Sequence, residues 1–113
     1  MATRHVIEAG LKNLDTLNPQ TADKMVQVAN SHWESYTTAV RKNVKIALGT
    51  DISSSNPRAD TAHGRNGQEL TPNAVKAGLS PLQAAEAATI NAAETLGKLS
   101  PRKGLISLAG TLI

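Results

Sequence analysis

Val44-Lys45-Ile46-Ala47-Leu48-Gly49-Thr50-Asp51 is the stretch on which the fold turns. Val44, Ile46 and Leu48 are bulky and apolar, and no turn residue interrupts the run before Gly49, so it predicts a buried strand over 44–50. A strand of this kind belongs in a sheet covered on both faces, as in parallel α/β architectures. Such folds gather ligands and catalysis at the carboxyl ends of their strands, which is where Asp51 falls. The expected class is therefore α/β, mostly helical, with this one core strand.

Helical patterns flank the strand. Residues 3–13 have a helix-forming composition, with Val6, Ile7 and Leu11 at helical spacing and Gly10 as a weak point. Asn18-Pro19 is a helix start, an N-cap residue followed by a proline at the first helical position. Met25, Ala29, Trp33, Tyr36 and Val40 then form one apolar stripe. Downstream, the polar segment 52–63 predicts a long loop, and a loop of that length inside a compact unit is functional or disordered. A helix is expected from Asn66 to Ala77, shortened or kinked by Pro72 and stopped by Gly78. Ser80-Pro81-Leu82-Gln83 has the form of a capping box and predicts an Ala-rich helix that runs to Leu96 and stops at Gly97. The tail from Lys98 reads as a turn and a short strand. One strand cannot make a sheet, so the pattern reads as part of a larger unit.

Composition narrows the function. Of 113 residues, 40% are hydrophobic but only 2% aromatic, with Trp33 and Tyr36 alone and no Phe, which suggests apolar faces shaped to pack on something further. The formal net charge of +3 is mild and its cations are scattered without aromatic platforms, so a nucleic-acid partner is not expected. The absence of cysteine excludes disulfides and thiolate metal sites. No apolar stretch reaches the roughly 18 residues of a membrane span, and no secretory leader or Asn-x-Ser/Thr acceptor occurs, so the expected location is cytoplasmic with no membrane partner.

The candidate site is Gly49-Thr50-Asp51 together with His63-Gly64-Arg65-Asn66. An Asp at a strand end can ligate a divalent metal, accept a proton from bound water, or both. His63 and Asn66 could add a ligand or hydrogen bonds to a substrate. On spacing alone, Asp51 could equally cap a turn or pair with a surface cation. His5 and His32 have no ligand-like spacing and read as solvent-facing or helix-packing residues. Thr89 and Asn91, mid-helix, read as solvent-facing, as caps of a neighbouring carbonyl, or as braces for the loop after the strand. No His-x-His, His-Glu-x-x-His or Gly-x-Ser-x-Gly occurs, so the chain holds neither a complete metal site nor a serine triad.

Four ordered motifs carry a resemblance beyond spacing. They are Lys45-Ile-Ala-Leu-Gly-Thr-Asp51, His63-Gly-Arg-Asn-Gly-Gln-Glu-Leu70, Val75-Lys-Ala-Gly-Leu-Ser-Pro-Leu-Gln-Ala84 and Ala88-Thr-Ile-Asn-Ala-Ala-Glu-Thr-Leu-Gly97. Over roughly residues 44–97 the sequence resembles the C-terminal part of the amidohydrolase superfamily. The branch it resembles holds imidazolonepropionase-like enzymes, zinc-dependent Xaa-Pro dipeptidases and fungal ochratoxin-hydrolysing enzymes. The resemblance implies a metal-dependent (β/α)8 hydrolase barrel whose last strand is 44–50. Asp51 would be metal ligand and proton acceptor, and the loop carrying His63 and Asn66 would overlook the substrate. Residues 1–97 would belong to the barrel, and 98–113 to a truncated tail toward a small β-sandwich. A divalent metal, zinc foremost, an amide substrate of small-molecule or peptide kind, and a homo-oligomeric parent are implied with it.

The sequence also departs from the family. A full barrel takes about 250 residues, and the family's His-x-His, bridging Lys and further His ligands have no counterpart here. The spacing between Glu69-Leu70 and Val75 is one residue longer than the resemblance leads one to expect, with Pro72 in the gap, and 107–113 departs from the family pattern. A truncated copy or an incomplete gene model is expected. The reading is thus a fragment of an enzyme that hydrolyses C–N bonds through a metal-activated water, inactive as an isolated chain. The alternative is a non-catalytic helical binding or assembly module docking through the Met25–Val40 stripe and the Ala-rich helix.

Overall fold

The computed structural model describes residues 3–99 with Gly104 and Leu105, so most of the 98–113 tail expectation lies outside the described residues. Helix α1 spans Arg4–Lys12, a 3-10 turn covers Leu14–Thr16, and α2 spans Pro19–Arg41. A long loop leads to a π-helical segment, Glu69–Val75, then to α3 (Pro81–Ala88), α4 (Ile90–Glu94) and a 3-10 turn, Gly97–Leu99.

The helix-start signals act as expected. The Asn18 side chain accepts from the Thr21 amide at 2.9 Å ahead of Pro19. Along α2, Ala29 and Tyr36 are buried, while Trp33 and Val40 are half-buried against the core. The helix ends where Asn43 turns left-handed at φ 54°, a conformation Asn tolerates. At Ser80 both halves of the capping box form: the Ser80 amide donates to Gln83 Oε1 at 2.8 Å and the Gln83 amide to Ser80 Oγ at 3.2 Å.

The expected strand is corrected. Residues 44–50 are extended, but no strand ladder forms among the described residues. A parallel strand needs neighbouring strands, and among the described residues the segment is held by helices. The Leu48 amide donates to the Ala87 carbonyl at 2.9 Å, and the Asn91 side-chain amide donates to the Ile46 carbonyl, also at 2.9 Å. Burial is one-sided as well: Leu48 is 7% exposed, whereas Val44 is 54% exposed.

Two helices also depart from expectation. The helix expected over 66–77 is π-helical from Glu69 to Val75. Pro72 lacks an N–H, and its ring would collide with the carbonyl four residues back in an α-helix. A π turn accommodates such a residue by widening the helix locally. The Ala-rich helix breaks at Thr89 (φ −117°, ψ −88°), whose Oγ1 donates back to the Ala85 carbonyl at 2.7 Å. The core consists of Tyr36, Leu48, Ala74, Ala77, Ala84 and Ala87, rimmed by Trp33, Val40, Ile46, Leu70 and Leu79. Alanine lets the π segment and α3 approach Leu48 closely, which is how a chain with so few aromatics still closes a core.

Candidate functional site

The site begins at the exit of the extended segment. Asp51 is exposed and its backbone is left-handed, φ 51°. Asp is among the few L residues that visit this region, at a cost of about 1–2 kcal/mol, and such strain collects at functional sites. Among the described residues the Asp51 carboxylate has no ion-pair partner.

The loop after Asp51 folds back on itself. An isolated parallel bridge pairs Ser54 with Ala62: the Ser54 amide donates to the Thr61 carbonyl at 3.2 Å and the His63 amide to the Ser54 carbonyl at 3.0 Å. This closure returns the chain to its start, where the Asn66 side-chain amide donates to Thr50 Oγ1 at 3.2 Å. Asn66 Oδ1 accepts from the Gly64 amide at 3.3 Å. Asn66 is therefore tied to the residue before Asp51. His63 lies on the same loop with an exposed side chain, and it makes no side-chain hydrogen bond among the described residues.

A second layer under this loop was not legible as a site. Glu69, 1% exposed, opens the π-helical segment and reaches the start of α1: Oε1 accepts from the Arg4 amide at 2.9 Å and Oε2 from the His5 amide at 2.6 Å. It thus serves as the N-cap that Thr3 does not provide, with its charge at the positive end of the helix. Burial pushes the Glu69 carboxyl above its usual range, against smaller lowering pulls from the amides of His5 and Arg4 and from Asn73. His5 is buried rather than solvent-facing, and its Nε2 lies 2.9 Å from the Asp60 carbonyl in the loop. The Asp60 carboxylate has Arg65 at 3.8 Å and Lys12 at 3.9 Å.

Arg4 joins α1 to α2. Its guanidinium donates to the Ala29 carbonyl at 2.6 Å, pairs with Glu8 at 2.6 Å and lies 5.0 Å from the Trp33 ring centre. Glu69 stood in a quoted motif, but nothing in its spacing reveals an inward carboxylate. The one available signal was a Glu at the start of a proline-bearing helix.

The residues suited to a metal are few. Asp51 offers a hard oxygen donor, exposed and unpaired among the described residues, and fits as one ligand of a divalent ion. No three His, Asp or Glu side chains converge to hold an ion among the described residues. The described residues alone therefore do not fit a complete metal centre.

Comparison with known proteins gives this geometry a context. The amidohydrolase family matches residues 4–108, and the chain belongs to that family. Ochratoxinases of Aspergillus niger and of two of its strains are each 36% identical over 105 residues. The match covers 92% of this chain and 20% of theirs, so the chain spans about a fifth of the length of these curated relatives. No solved structure matches. Family membership does not favour the helical binding-module alternative. No helix among the described residues is long and apolar enough to cross a membrane.

Proposed function

We propose that this chain is the closing part of a (β/α)8 amidohydrolase barrel whose parent hydrolyses the C–N bond of an amide, peptide or cyclic amide. The observation that carries the reading is Asp51, at the exit of an apolar extended segment inside the region that matches the family. In barrel enzymes catalytic groups stand at the carboxyl ends of the strands. A divalent metal, zinc foremost, would supply Lewis acidity and an activated water when bound.

The chain's own residues have assignable work. Asp51 accepts the proton of the attacking water on a carboxylate oxygen and passes it to the departing nitrogen. Asn66 holds Thr50, and so the left-handed turn that presents Asp51. His63, exposed on the folded-back loop, contributes its imidazole on the substrate side. The remaining ligands belong to the rest of the barrel, and the isolated chain is expected to be inactive.

Transplantation tests the reading. In a chimera, this chain's 105-residue match replaces the corresponding fifth of an Aspergillus niger ochratoxinase, assayed on the host's own substrate. Activity in the folded chimera supports the assignment. A folded but inactive chimera, or an isolated chain that hydrolyses amides with stoichiometric zinc, overturns it.

A further inference from the structure

The loop that carries His63 and Asn66 is anchored from outside the site. We propose that His5 and Glu69 are positioning residues, forming a clamp through which α1 fixes the loop 52–66 relative to Asp51. This deepens the reading of Asp51 and its loop as the working end of the fold and rests on that reading.

The clamp has three links, each visible in the geometry. Glu69 is buried and holds the Arg4 and His5 amides at 2.9 and 2.6 Å, so the first turn of α1 is fixed to the π-helical segment that directly follows the loop. His5, 5% exposed, places Nε2 2.9 Å from the Asp60 carbonyl near the middle of the loop. That nitrogen must carry the proton, because a carbonyl can only accept. Arg4 pins the same turn of α1 to α2 through the Ala29 carbonyl and the Trp33 face. The loop is thus held at its base by Asn66 on Thr50, in its middle by His5 on Asp60, and behind by Glu69 on α1.

Nothing in the turn chemistry of the loop requires the middle link. The Ser54–Ala62 bridge closes the loop on itself, but it does not fix its orientation on the rest of the molecule. A buried imidazole spent on one loop carbonyl is therefore best explained as orientation.

Site-selective trypsin cleavage of the full chain tests this directly. Arg58 and Arg65 lie in the loop, and Lys24 and Arg41 in α2 serve as internal controls. The expected pattern is slow cleavage at Arg58 in the unmodified chain. His5→Ala should accelerate it roughly fivefold, the scale of one lost hydrogen bond, with Lys24 and Arg41 unchanged. His5→Gln, whose side-chain amide reaches the same carbonyl, should restore the slow rate. Glu69→Gln should accelerate Arg58 cleavage too, and His5→Ala keeps the test valid if that variant unfolds α1. Unchanged Arg58 cleavage in His5→Ala, equal acceleration at all four sites, or no rescue by His5→Gln would overturn the clamp. These readouts need no activity, so an inactive chimera would count against the proposed function and leave this result standing.

Discussion

The side-chain amide of Asn91 donates to the backbone carbonyl of Ile46 at 2.9 Å, so a residue of α4 takes the place of a neighbouring strand on the segment that leads to Asp51. The bond is partly buried, and removing the donor leaves the carbonyl unpartnered there. Asn91→Ala is expected to cost about 1–2 kcal/mol in chemical denaturation. Asn91→Gln should cost less, because it keeps a donor within reach.

Caps give a second, independent prediction. Ser80→Ala removes the acceptor for the Gln83 amide, and Asn18→Ala the acceptor for Thr21. Each should lower stability by about 1 kcal/mol. The sites lie on different helices with no shared partner, so the double variant should show close to the sum. A strongly non-additive double variant would show that α2 and α3 do not form independently.

What was legible in the sequence follows from where the governing interactions lie. Asn18-Pro19 and Ser80-Pro81-Leu82-Gln83 announce their helices because a cap is a contact between residues three apart. The partners of 44–50 are distant in sequence, Ala87 and Asn91 among them, so periodicity reveals the apolar run but not what it pairs with. Pro72 signals a disturbed helix but not its π form. Asp51 and Asn66 meet through Thr50 across a loop that local patterns could only describe as polar. His5 carries no local sign of its role because its partner lies 55 positions away.

Glycines separate backbone strain from collision. Gly104 has φ 74°, and a Cβ there would meet the Thr89 carbonyl oxygen at 2.7 Å and Ile90 Cα at 2.9 Å. Gly64 has φ 92° with nothing among the described residues within 4 Å of its would-be Cβ. Gly64→Ala should therefore cost about 1–2 kcal/mol from conformation alone. Gly104→Ala should cost distinctly more, because its obstacles are backbone atoms that cannot step aside. Thermal melts of the two variants side by side make the comparison.

Stability should also vary with pH in opposing ways. His32 is held below its ordinary value of 6.5, first by burial and then by the Arg4 charge. A depressed histidine stabilises above its unfolded value, and that contribution is lost as pH falls through the folded value. Glu69 is raised above 4.5, so its contribution is present below that value and is lost as pH rises through its folded value. Tyr36 is pushed from 10.0 up to about 12, chiefly by burial and then by Glu69, so its contribution is full below 10.0 and lost as pH rises through about 12. His32→Leu should flatten the loss of melting temperature on acidification from neutrality. Tyr36→Phe should flatten the alkaline loss and also remove a buried hydroxyl that has no partner among the described residues.

If Asp51 carries the proton in an amide-hydrolysing barrel, Asp51→Asn within the ochratoxinase chimera removes that proton carrier. The expected result is a kcat lower by about 10²–10⁴-fold, the scale of losing a general acid–base. The melting temperature should move little, because the side chain is exposed and unpaired among the described residues. An Asp51→Asn chimera that keeps its kcat within a few-fold of the unsubstituted chimera would contradict that role for Asp51.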